Sequence, residues 1–255
     1  MLGHDWLIYL ALFASGAVAG VLNVIAGGGS FLTLPVLIFA GLPATVANAT
    51  NRVGILIQNV GAVWGFHRYR VLAWRWALLA TVPALAGAAL GTWAALEVSD
   101  KAFRTILAIL MVAITLWSLL DRSSRKLEEG ATPPRPSPGK TAVLAAGFFV
   151  VGIYGGFVQA GVGFLILAVL SFAGFDLVRG NAIKVLSVLL FTLLALAIFA
   201  WQGKVDWLPG LVLGAGTLTG GLLGVRLTVL KGHKWVKGVV TMTVIAFAIL
   251  LLFEK

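Results

Sequence analysis

The sequence predicts an all-α, polytopic membrane protein built of two inverted repeats of about five helical segments each, the second segment of each being short or re-entrant. Three observations predict it. Of 255 residues, 60% are hydrophobic and 11% charged, with a mean hydropathy of +1.02, against roughly 25% charged in a soluble domain. Apolar runs recur along the chain, several near the ~20 residues that cross about 30 Å of hydrocarbon as helix. The chain also matches itself at a spacing of 133 residues. Residues 28 to 49 and 161 to 182 align without a gap at 11 identities in 22 positions, and Gly87, Gly91 and Lys101 then pair with Gly220, Gly224 and Lys234. Lipid cannot satisfy open backbone groups, so the segments are helices. A β-barrel would alternate in polarity over ~10 residues, whereas these runs are continuously apolar.

The segments follow in order. The first, 5 to 26, comes after MLGHDW, which lacks the basic region of a cleaved signal, so the segment is expected to be retained. The second, 30 to 41, follows the break AGGGS and has only 12 residues, about 18 Å of helix. Segments 44 to 67, 73 to 96 and 101 to 120 complete a first repeat (1–120). DRSSRKLEEGATPPRPSPGK, 121 to 140, reads as a flexible cytoplasmic linker because it is polar and rich in proline. The second repeat (141–255) holds segments 141 to 159, 163 to 174 after the break QAGVG, 177 to 201, 205 to 229 and 235 to 253. All nine tryptophans, Trp6, Trp64, Trp74, Trp76, Trp93, Trp117, Trp201, Trp207 and Trp235, fall near segment ends, as an interfacial aromatic belt requires.

Orientation follows from the net charge of +10. With five segments per half, 13 Lys and Arg lie on one side, four on the other and two, Arg52 and Lys184, inside segments. Four segments per half would give parallel repeats and a split of 10 against 7. The positive-inside rule prefers the inverted arrangement, with both termini outside and the linker in the cytoplasm of a bacterial-type inner membrane. The same rule accounts for the basic balance, so no nucleic acid is expected.

Short, glycine-interrupted segments at matching positions of two halves point to a transporter's binding site near the midplane. The alternative is a tight loop at the membrane surface. Gly28, Gly29 and Ser30, with Gln159, Gly161 and Gly163, are the candidate residues of the two breaks. On segment 44 to 67, taken at ~100° per residue, Asn48, Asn51, Arg52, Gln58 and Asn59 share an arc of about 120°. Asn181, Lys184 and Thr192 share a similar one in the second half. No carboxylate lies inside a segment to neutralise Arg52 or Lys184, so backbone carbonyls, water or a bound anion must do so. Helix N-termini near Ser30 and Gly163 add oriented N–H groups. Arg52 is the expected principal partner of an anion and Lys184 its weaker counterpart. Snorkelling of both side chains to the headgroups is the competing reading.

Other features exclude functions. There are no cysteines, hence no disulfides or thiolate chemistry. His4, His67 and His233 have no metal-ligand spacing, so no metal and no cofactor are expected. No catalytic triad or paired acids occur inside segments, so the chain is not expected to be an enzyme. Gly16 with Gly20, Gly87 with Gly91, and Gly210, Gly214, Gly216, Gly220 and Gly224 have the spacings of close helix packing.

The glycine-rich break with SFLTLPVL (30 to 37), the stretch GLPATVANATN (41 to 51) and their degenerate second copy resemble the sulfite exporter TauE/SafE family of membrane permeases. The resemblance covers nearly the whole chain. It implies export of a small sulfur-containing oxyanion such as sulfite, sulfoacetate or sulfolactate. The second copy departs from the first, with Gln159, Val162 and Ala168 in place of Ala26, Gly29 and Pro35. The expected partners are therefore a small anionic substrate and the lipid bilayer, and a homo-oligomer is compatible with the sequence. A membrane structural or partner-binding subunit without transport is the alternative.

Overall fold

The computed structural model describes residues 6–120 and 138–253, and every regular element among them is helical. The helices are α1 (Trp6–Ile25), α2 (Ser30–Phe39), α3 (Ala44–Arg68), α4 (Trp74–Glu97), α5 (Asp100–Leu120), α6 (Pro138–Phe157), α7 (Val162–Phe172), α8 (Leu177–Trp201) and α9 (Trp207–Phe253). Most of the expected linker, 121 to 137, and both chain ends lie outside the described residues. One expected boundary differs in kind. Segments 205 to 229 and 235 to 253 are not parted by a loop but run as one element broken at Gly232, whose φ of 73° interrupts the helix within a single residue. Glycine tolerates that left-handed angle without steric cost.

Helices α1, α4, α6, α8 and the stretch Trp207–Gly232 of α9 are each long and apolar enough to cross a membrane. Helix α3 has the length, at 25 residues, but its polar stripe lowers its apolar character. It is buried along most of its course and contacts protein rather than lipid there. The second segments shrink to 10 and 11 residues, α2 and α7. Tryptophans stand at or near helix ends, with Trp6, Trp64, Trp93 and Trp201 exposed.

The two halves interlock. The most extensive packing joins α1 to α9, α4 to α6 and α3 to α9, in each case a helix of one half to a helix of the other. Small residues make this contact close. A Cβ on Gly16 would meet Leu213 and Thr217, one on Gly20 would meet Thr217 and Gly221, and those on Gly216 and Gly220 would meet the carbonyls of Phe13 and Ala17. At the equivalent seam Gly87 and Gly91 face Phe149 and Ile153, while Gly152 and Gly156 face Ala84 and Ala88. Where neighbouring lipid is as apolar as the side chains, such backbone approach supplies the van der Waals contact that holds helices together.

These pairs also fix directions. Residue numbers rise together along α1 and α9, along α3 and α9 (Gly54 by Leu213, Gly61 by Leu218, Gly65 by Val225), and along α4 and α6. Between α3 and α8 they run oppositely: Arg52 lies over Phe199, while Ile55 and Asn59 share a cavity with Lys184 and Val188. Helix α1 stops beside Gly224, about 12 Å of helix short of Gly232, and α6 stops beside Gly91, about 9 Å short of Glu97. Each first helix thus ends inside the bundle. Its last carbonyls need partners there, because they are buried in the protein.

Candidate functional site

Those carbonyls find their partners on the long third helix of the opposite half. Arg52 of α3 donates from Nη1 to the Gly155 carbonyl at 3.0 Å and to Gln159 Oε1 at 2.7 Å, and from Nη2 to the Gly156 carbonyl at 2.6 Å. Asn48, one turn earlier, donates to the Phe157 carbonyl at 3.0 Å. The end of α6 is therefore closed by an amide and a cation. Lys184 of α8 donates to the carbonyls of Asn23 and Val24, both at 2.8 Å, and to Asn181 Oδ1 at 2.5 Å. Asn181 donates in turn to the Ile25 carbonyl at 3.0 Å. The end of α1 is closed by the same two chemistries. A helix C-terminus carries about half a negative charge, so a cation at its axis is favoured electrostatically as well as by hydrogen bonding.

This arrangement decides between carbonyls and snorkelling. Arg52 is fully buried and Lys184 is 2% exposed, so neither head reaches a headgroup. Their donor counts differ. An ammonium has three N–H bonds, and all three of Lys184 are used. The guanidinium keeps donors in reserve, since its Nε is buried with no acceptor among the described residues. Its carbon stands 5.0 Å from the centroid of the Phe199 ring, a further favourable contact for a desolvated cation.

Between the two capped ends the breaks meet. Residues 26–31 and 158–164 are buried within the protein throughout. Gly27, at φ 89°, lies against Gly163 so closely that a Cβ on either would overlap the Cα of the other. The aromatic rings of Phe31 and Phe164 flank this contact at 6.0 Å. Asn51 ties the start of α2 to α3, donating to Ser30 Oγ at 3.2 Å and accepting from Thr33 Oγ1 at 2.7 Å. Gln159 ties the second break to α8 by donating to Thr192 Oγ1 at 2.7 Å. The N-terminal ends of α2 and α7 are thereby brought together beside one small volume.

That volume is a cavity of about 10 Å³ lined by Asn23, Ile55, Asn59, Gln159, Val162, Gly163, Lys184 and Val188. It has the space of about one water and is too small for a four-atom oxyanion. Four of its lining residues, Asn59, Gln159, Gly163 and Lys184, are among the candidates read from sequence. The polar stripe of α3 is otherwise divided. Asn48 and Arg52 serve the end of α6, Asn51 serves α2, and Gln58 accepts from Asn23 Nδ2 at 3.2 Å while its own Nε2 is buried without an acceptor among the described residues. Gly28 and Gly29 take part through the backbone, their carbonyls accepting from Phe31, Leu32 and Thr33 at the first turn of α2. The Gly161 carbonyl does the same for Phe164. Asn23 is the polar cavity residue that sequence reasoning passed over. The available signal was an amide in an otherwise apolar helix, but its repeat partner is Gly156, so symmetry gave it no support. Larger grooves on the outer surface, such as the one of about 750 Å³ between Trp117, Tyr154 and Phe172, are almost wholly apolar and suit lipid chains rather than an anion. No cluster of metal-binding side chains occurs among the described residues.

Residues 12–251 match the family model described as Sulfite exporter TauE/SafE. Curated relatives include a probable membrane transporter protein of Haemophilus influenzae, 31% identical over 90% of this chain and 88% of that protein. The probable membrane transporter protein YfcA of Escherichia coli is 31% identical over 96% of this chain and 89% of its own. A probable membrane transporter protein of a Sinorhizobium species is 28% identical over 95% and 92%. No solved structure matches the chain.

Proposed function

Because the chain belongs to the sulfite exporter TauE/SafE family of membrane transporters, we propose that the polar centre between its halves is the transport site and that its cargo is a small sulfur-containing oxyanion such as sulfite or an organosulfonate, carried outward. One observation carries this reading. The breaks before α2 and α7 meet at the Gly27–Gly163 contact, beside a cavity lined by amides, Lys184 and, from the start of α7, Val162 and Gly163. Helix N-termini attract anions through the positive end of the helix dipole. The cations have a second duty in this scheme, since Arg52 and Lys184 cancel the negative ends of α6 and α1 that would otherwise repel an anion. Arg52 also orients Gln159, whose carboxamide lines the cavity.

The test is flux from liposomes containing the purified protein. Sulfite or sulfoacetate efflux is expected under an inside-negative potential, which favours anion exit by ~2.3 kcal/mol per charge per 100 mV. Among the described residues, no carboxylate lines the cavity to carry a coupled proton. Flux that requires a proton gradient at zero potential would refute potential-driven export. Liposomes impermeable to every small anion would favour a structural or partner-binding subunit instead.

The halves are further proposed to be inverted, with both termini outside and the linker in the cytoplasm. The opposed run of α3 and α8, which are equivalent in the repeat, supports this, as does the distribution of Lys and Arg. Single-cysteine labelling on this cysteine-free chain is expected to place residues 134 and 255 on opposite sides. Finding both on one side contradicts the inverted arrangement.

A further inference from the structure

We infer that Phe103 and Val236 are the two gating side chains of the path through the polar centre, one on each side of it; the inference rests on reading that centre as the transport site. The observation is a symmetry of apolar clusters. On one side the buried residues Ile25, Leu167, Leu177 and Val236 form a cluster of their own. Their partners at the 133-residue spacing are Val158, Leu34, Ala44 and Phe103, and all four belong to a single cluster on the other side. Each group therefore joins the same four positions: the residue just before the break, a residue of the short helix, the first turn of the long helix and the first turn of the fifth segment.

Each group is also completed across the halves, because Val158 comes from the second half to sit with three residues of the first, and Ile25 comes from the first to sit with three of the second. Val158 and Ile25 adjoin the helix ends that Asn48 and Asn181 hold, so each plug touches the mouth of the polar centre. The Phe103 ring also lies 5.4 Å from that of Phe157. Both Phe103 and Val236 are fully buried. An apolar constriction excludes hydrated ions by refusing to replace their water. With both plugs shut the central cavity is sealed at the size observed, and alternating release of one plug at a time exposes the centre to one face.

The reporter is Ser30→Cys, a near-isosteric thiol at the start of α2, in a chain that has no other cysteine. A membrane-impermeant, anionic methanethiosulfonate reagent is applied to right-side-out and to inside-out vesicles, and the labelling rate is followed from each face. Phe103→Ala is expected to raise the rate by about tenfold or more from the face that carries Asp100 and to leave the opposite face unchanged, since large-to-small change empties the plug. Val236→Ala is expected to do the converse. Val236→Phe, which overfills its plug, is expected to slow labelling from its own face. If Phe103→Ala does not yield a monodisperse protein, Phe103→Leu carries the test with the same sidedness. Unchanged rates from both faces overturn the inference, and so does an equal rise from both, which marks general loosening. Labelling does not depend on which anion is carried, so a wrong cargo fails in the flux assay and leaves this result standing, whereas a wrong gate assignment fails here whatever the cargo.

Discussion

Arg52→Ala is expected to reduce anion flux to less than about a tenth of the wild-type rate, the loss that a barrier higher by ~1.4 kcal/mol would give, and to destabilise the protein at the same time. The guanidinium holds the carbonyls of Gly155 and Gly156 together with Gln159 Oε1. Removing it takes a donor from three buried acceptors, although the Gly156 carbonyl keeps Thr92 Oγ1 at 3.2 Å, and breaking a buried charged network typically costs about 3 to 5 kcal/mol. The substitution therefore conflates two roles, and Arg52→Lys separates them. Lys184 demonstrates that an ammonium can bind two helix-end carbonyls and an amide oxygen, so lysine at position 52 is expected to restore most of the thermal stability. It has no equivalent of the unpartnered Nε and cannot hold Gln159 and the two carbonyls in one plane. Flux is accordingly expected to recover only in part. Lys184→Ala is expected to harm flux less than Arg52→Ala. Proteoliposome uptake, with melting in detergent measured on the same preparations, checks each of these. Wild-type flux in Arg52→Ala defeats the assignment of Arg52 to the site, and full recovery of both quantities in Arg52→Lys reduces its role to capping a helix.

How much of this was legible beforehand depends on the kind of signal. Helix positions were, because hydropathy and glycine breaks act locally: the second segments emerge as 10 and 11 residues, each after its break. The interlocking of the halves was not, since a repeat announces equivalence without saying whether equivalent parts pack within a half or across it. Polar residues on α3 were found through their shared arc, yet an arc wide enough to include Asn48 and Gln58 faces several neighbours once α2, α6 and α9 surround the helix. Asn48 and Arg52 thus serve α6, Asn51 serves α2, Gln58 pairs with Asn23 of α1, and Asn59 bonds within its own helix to the Ile55 carbonyl. Arg52 and Lys184 were recognised as needing carbonyls, water or an anion. Only the fold could supply the fact that α1 and α6 end inside the bundle and present carbonyls to them. Asn23 escaped because its polarity has no counterpart at Gly156, and Gly27 because its importance lies in what it touches, a backbone 136 residues further along the chain.

That contact yields a series in which two physical terms separate. Gly41 has φ 97° and open space around its missing Cβ; Gly163 has no such angle, but its Cβ would overlap the Cα of Gly27; Gly27 has both φ 89° and the overlap with Gly163. Gly41→Ala is therefore a strain control, expected to cost about 1 to 2 kcal/mol for an L-residue in the left-handed region, with flux nearly preserved. Gly163→Ala carries the contact term alone. Overpacking typically costs about 1 to 3 kcal/mol, and the upper end applies because the facing atoms are backbone and cannot rotate away. Moving the two breaks apart also shifts the starts of α2 and α7, so flux is expected to fall by about tenfold or more, equivalent to ~1.4 kcal/mol on the barrier. Gly27→Ala combines the terms and is expected to be the least stable of the three, though not by a simple sum, because the sites are in contact. The measurement is the melting midpoint in one detergent, paired with initial flux in liposomes. The order expected is Gly41→Ala mildest, Gly163→Ala next and Gly27→Ala worst. Wild-type melting and flux in Gly163→Ala would mean that the two breaks do not touch, and the convergence of α2 and α7 on a single anion site would fall with that contact.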